Sequence, residues 1–196
     1  IAADSENNLY IGGYGALGDA QKTAAVIKFA ANGKIAPTEA TLLASRNRNT
    51  ETPDWGANTN GYLGLSQTTD GGVVVTIDGS AGSPQETLKF KTDGTLDTTW
   101  RDGGKYIVGP VDRLQCNAVL EDGTVVLPQL FMASKKSVRL VKNDETLNLT
   151  VDGVADHARD IAAKGNDTLF ILANGYKTIY KVTFVASDYS NVTVSE

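Results

Sequence analysis

The sequence predicts an all-β protein, a β-propeller-like array of four four-stranded blades. Three observations carry that expectation. The N-terminal pattern returns along the chain in one register, a polar turn recurs at one place in every copy, and the apolar runs are too short for helices.

The string Ile1-Ala2-Ala3 followed by Leu9-Tyr10-Ile11 comes back without a gap as Ile161-Ala162-Ala163 followed by Leu169-Phe170-Ile171, an offset of 160. An offset of 64 brings up Asp70-Gly71-Gly72 and then Val73-Val74-Val75, and an offset of 116 brings up Asp122-Gly123-Thr124 and then Val125-Val126-Leu127. Each copy reads as strand, polar turn, apolar strand, loop, alternating strand, turn and short final strand. Units of about 40 to 50 residues built this way are the signature of propeller blades.

Within a copy, the turn position holds Glu6, Asp70, Asp122 or Asn166, whose short polar side chains can satisfy turn backbone groups. The second strand is continuously apolar in Val73 to Val75 and Leu169 to Leu172, which predicts burial on both faces and a place inside the sheet. The third strand carries a basic residue at Lys28, Lys89, Arg139 and Lys181, expected as solvated positions whose charge opposes edge pairing. The copies span approximately 1–35, 62–104, 113–150 and 157–196 of one domain, with a single long insertion at 36–61. Residues 38–45 and 156–163 show only a weak helical pattern, and the second of these coincides with the first strand of the fourth copy, so it reads as strand.

The best-formed copy contains Leu88-Lys89-Phe90 and then Asp93-Gly94-Thr95-Leu96-Asp97-Thr98-Thr99-Trp100. This stretch resembles the delta-60 repeat of bacterial propeller-like proteins, whose motif is Asp-Gly-x-Leu-Asp-x-x-aromatic after a strand bearing Arg or Lys. The third copy keeps Leu147 of that motif in Asn143-Asp144-Glu145-Thr146-Leu147-Asn148 but loses the glycine and second aspartate, and the first keeps only Asn32-Gly33-Lys34-Ile35. The resemblance implies a propeller-type fold in large surface or secreted proteins, places Trp100 as a packing residue, and brings no catalytic residues. It leaves open whether four blades make a complete small propeller, part of a larger one, or a subunit whose open edges other protein subunits cover.

Composition narrows function by exclusion. The 196 residues are 41% hydrophobic with a net charge of −5, which provides no clustered cations for nucleic acid. No run approaches the roughly 18 apolar residues of a membrane span. One cysteine, Cys116, leaves no disulfide within the chain and no cysteine-based metal cluster. No cofactor or metal is implied: the acidic residues lack calcium-loop spacing, and the glycine-rich Gly12 to Gly18 follows a strand with no helix after it.

Acid-base chemistry would have to pass through His157, the single histidine, flanked by Asp156 and Asp160. No nucleophile elbow accompanies it. The stronger candidate is a binding site in the insertion, where Trp55 is surrounded by Asp54, Asn58, Asn60 and Tyr62. An aromatic face flanked by amide and carboxylate groups suits a sugar, so the expected ligand is a glycan or other cell-surface molecule. The expected role is therefore a non-catalytic recognition or structural module, an adhesin or alternatively a virion component such as a phage tail or fibre domain, outside the cell or on a surface. An extracellular polysaccharide-acting enzyme is the competing reading.

Overall fold

Short strands separated by tight turns pair with their sequence neighbours, and the result is four antiparallel four-stranded sheets. The computed structural model describes residues 1–16, 22–29, 40–47, 63–77, 85–108, 116–129, 137–154, 158–173 and 177–196. The first sheet is β1 (Ala2–Ala3), β2 (Leu9–Ala16), β3 (Lys22–Phe29) and β4 (Ala40–Asn47), and the second is β5 (Leu63–Gln67), β6 (Val73–Ile77), β7 (Gln85–Phe90) and β8 (Lys105–Val108). The third is β9 (Ala118–Val119), β10 (Val125–Gln129), β11 (Ser137–Val141) and β12 (Thr146–Thr150), and the fourth is β13 (Asp160–Lys164), β14 (Thr168–Ala173), β15 (Thr178–Thr183) and β16 (Thr193–Ser195). In every sheet the strands lie side by side in chain order. The first strands make the links, β5 lying against β1 and β9, and β9 against β13. The architecture is all-β and propeller-like. Among the described residues there is no helix, and so none long and apolar enough to cross a membrane.

The turn after each first strand shows how local sequence builds the array. The amide of Asp4 donates to the carbonyl of Asn8 at 3.0 Å, that of Thr68 to Gly72 at 2.9 Å, and that of Leu120 to Thr124 at 3.0 Å. These are the same positions at offsets of 64 and 116. Each turn needs one left-handed residue, supplied by Asn7 (φ 62°), Gly71 (φ 92°) and Gly123 (φ 84°), residue types that tolerate this conformation. The fourth turn departs, since the ladder runs on to Lys164 opposite Thr168 and the left-handed residue is Gly165.

Alternation along the buried strands makes each sheet two-faced. Tyr10 of the first sheet packs with Val73, Val75, Ile77, Leu88 and Phe90 of the second. From the opposite face of that second sheet, Val74 and Trp100 pack with Val125, Leu127 and Val141 of the third. Val126, Val138 and Leu140 then cluster with Leu169, Ile171, Tyr180 and Val182 of the fourth. All five residues of β6 are buried, as its unbroken apolar run requires, and it lies inside its sheet.

Two sequence expectations are corrected. Residues 40–47 fall in the span read as insertion, yet they form β4, the outer strand of the first sheet, while Lys105–Val108 extends the second sheet beyond residue 104. Both outer strands lack the apolar regularity that marks the inner ones, because one side has no neighbouring strand to satisfy. The second correction concerns the basic residues of the third strands. These strands are interior, each flanked by an outer fourth strand, so their charges guard no edge. Lys181 is exposed, but the side chain of Lys89 is only 15% exposed and held between two carboxylates.

Candidate functional site

The interface between the second and third sheets changes character along its length. It begins apolar around Trp100, Val74, Val125, Leu127 and Val141, then becomes polar where Thr76, Thr87 and Asn117 are buried. Thr76 interrupts the valine run of β6 and points to the same side as Val74. Its hydroxyl oxygen lies 3.2 Å from that of Thr87 across the β6–β7 ladder, and accepts a 2.9 Å hydrogen bond from the Asn117 side-chain nitrogen. Ser66 on β5 donates to the backbone carbonyl of Asn117 at 2.9 Å. Asn117 is 4% exposed, and no donor among the described residues reaches its Oδ1.

Gly64 makes this seam possible. A β-carbon there would stand 2.9 Å from the Asn117 nitrogen and from the Cys116 backbone, so only glycine lets the two backbones approach so closely. The site is neutral, made of hydroxyls and an amide. Its groups bond one another across the seam, and among the described residues there it holds no group able to move a proton near neutral pH.

The neighbouring charged residues are committed to the scaffold. Lys89 forms ion pairs with Asp70 and, at 3.0 Å, with Asp97. Burial pushes the Asp97 carboxyl up, but hydrogen bonds from Thr99 and Lys89, together with the Lys89 charge, outweigh burial and hold it below the usual carboxylate range. Asp70 behaves alike: burial raises it, and the bonds from Lys89 and Thr68 bring it below its ordinary value. For Lys89 itself burial works downward, and the bonds to Asp70 and Asp97 turn the balance upward. Asp93 accepts from the Thr95 amide at 2.8 Å and closes its turn. The motif carboxylates thus do turn and ion-pair work, and Trp100, 5% exposed, packs between sheets.

Of the residues singled out in the sequence, Asp54, Trp55, Asn58, Asn60 and Tyr62 lie outside the described residues, as do Asp156 and His157. Asp160 is exposed at the start of β13, where its Oδ1 accepts from the Ile161 amide at 2.9 Å. Sequence reasoning missed Thr76, Thr87 and Asn117. Thr76 left one trace, a hydroxyl in an otherwise apolar run, while Asn117 left none. Among the described residues no group of three or more His, Cys, Asp or Glu side chains is placed to hold a metal ion.

No protein-family profile matches the chain, and neither does any curated protein. The chain is similar to a solved structure of a protein of unknown function from Bacteroides caccae, with 12% identity and a TM-score of 0.51. The match covers 98% of this chain and 58% of the other, so this chain spans little more than half the length of that structure. At this identity the likeness concerns the fold alone.

Proposed function

We propose that the chain is a non-catalytic recognition and structural module of the delta-60 repeat type, exposed at a cell or particle surface and binding a glycan. Asp54, Trp55, Asn58, Asn60 and Tyr62 are the ligand-binding residues of this reading. One observation carries it: in the sequence Trp55 stands among Asp54, Asn58, Asn60 and Tyr62, an aromatic face flanked by the amide and carboxylate groups that suit a sugar. The engagement of Asp70, Lys89 and Asp97 with one another supports a scaffold role for the motif charges. A glycan array with wild type and Trp55→Ala tests the reading: wild type is expected to bind a defined set of glycans and the variant to lose them. Equal binding by both would remove the site assignment.

A further inference from the structure

An aspartate followed by glycine can be attacked by its own backbone, because glycine sets no side chain beside the attacking amide and leaves it free to swing toward the carboxyl. Six Asp-Gly pairs occur in the sequence, and five lie within the described residues, at Asp70, Asp93, Asp102, Asp122 and Asp152. The fold holds four of them and leaves one loose.

In three pairs the glycine closes a turn. The amides of Gly71, Gly94 and Gly123 donate to the carbonyls of Thr68, Lys91 and Leu120 at 3.0, 2.9 and 2.9 Å, which keeps each nitrogen turned away from its neighbouring carboxyl. The carboxylates are held as well: Asp70 by Thr68 and Lys89, Asp93 by the Thr95 amide at 2.8 Å, and Asp122 by the Thr124 amide at 2.9 Å. In the fourth pair the Gly103 amide donates to the Arg101 carbonyl at 2.9 Å.

Asp152 and Gly153 instead fill the two middle places of a turn that the Val154 amide closes on the Val151 carbonyl at 3.3 Å. Both residues are exposed, and Gly153 takes a φ of 98°. Among the described residues no donor reaches the Asp152 carboxylate, and no acceptor takes the Gly153 amide.

We propose that Asp152 is a modification site at which the folded chain forms isoaspartate spontaneously, with water as the co-reactant. The Gly153 nitrogen bonds to Asp152 Cγ, the Cγ–OH bond breaks, and the amide proton leaves with the hydroxyl as water, closing a succinimide. Water then adds to one ring carbonyl and its bond to the nitrogen breaks. Opening at Cγ restores aspartate, whereas opening at the main-chain carbonyl carries the backbone through Cβ, with no net change in composition. The added methylene enters a turn whose ends, Val151 and Val154, are each 0% exposed and sit in the core shared by the third and fourth sheets.

The test keeps the folded chain warm in mildly acidic buffer for several weeks, digests it with trypsin, and tells isoaspartate from aspartate at equal mass by chromatography and electron-transfer fragmentation. Separate tryptic peptides carry Asp152 (143–159), Asp93 (92–101) and Asp122 (114–135). An isoaspartate isomer is expected to accumulate at Asp152 while the Asp93 and Asp122 peptides stay unchanged. Asp152→Glu, which keeps the charge at an exposed position but lengthens the side chain past easy ring closure, should lose the isomer. In urea all three aspartates should isomerise, because the turns that protect Asp93 and Asp122 are gone. Absence of the isomer at Asp152 in the folded chain, equal accumulation at Asp93 or Asp122, or a preference for Asp152 that persists in urea overturns the proposal.

Discussion

The backbone nitrogen of Asn117 lies 2.9 Å from the point where a β-carbon on Gly64 would stand. The second and third sheets meet there through their main chains, and the neighbouring atoms that a side chain would strike are backbone atoms of Cys116 and Asn117, which cannot rotate away. Gly64→Ala should therefore force the sheets apart and cost about 1–3 kcal/mol. Chemical denaturation measures it, and a stability equal to wild type would show that the approach is not constrained.

Lys89 sits between Asp70 and the largely buried Asp97, and removing it strands a carboxylate. Lys89→Met should lower stability by about 2–3 kcal/mol, less than for a fully buried pair because the lysine is partly exposed. Urea unfolding of wild type and variant checks this.

The same residues set a pH dependence. Asp70 and Asp97 titrate below their ordinary values in the folded chain, so their stabilisation is complete above the unfolded carboxylate pKa of about 3.9 and is lost as pH falls through the folded values. Lys89 titrates above its ordinary value, so its contribution is present below about pH 10.4 and lost as pH rises through the folded value. Asp97→Asn should consequently be less stable than wild type at neutral pH and approach it below about pH 4. Denaturation midpoints measured from pH 7 to pH 3 report it, and a constant difference would contradict the assignment.

Trp100 fills the apolar part of the interface between the second and third sheets. Trp100→Ala should cost about 3–5 kcal/mol through the cavity it leaves, with no effect on any ligand site in the 54–62 stretch. Calorimetry and binding measured together separate the two.

Cys116 is 4% exposed, and burial, with a smaller push from the Asp160 charge, raises its thiol to about 12. It should resist aromatic disulfide reagents at pH 8 in the folded protein and react fully once unfolded. Rapid labelling of the native chain would contradict this burial.

Much of the scaffold was legible because it rests on local chemistry. Asp70-Gly71 and Asp122-Gly123 announce turns through residue types that suit a left-handed backbone, and Val73 to Val75 announces an interior strand through its unbroken apolar character. The outer strand β4 was not legible, since a strand with one free edge need not show the inner pattern. Lys89 misled in the same way: a lysine on an alternating strand resembles a solvated position, and only folding brings Asp70 and Asp97 to it. The seam was hidden for a related reason. Thr76 and Asn117 are 41 residues apart and meet only through the stacking of two sheets, a relation that no local pattern encodes.

Recognition without catalysis is the function proposed for this chain. Its most direct test incubates the chain with each glycan it retains on an array and weighs the recovered glycan by mass spectrometry. Intact glycan is expected, with binding reduced about tenfold or more in Trp55→Ala. Shortened glycan, formed by wild type and not by His157→Ala, would contradict it.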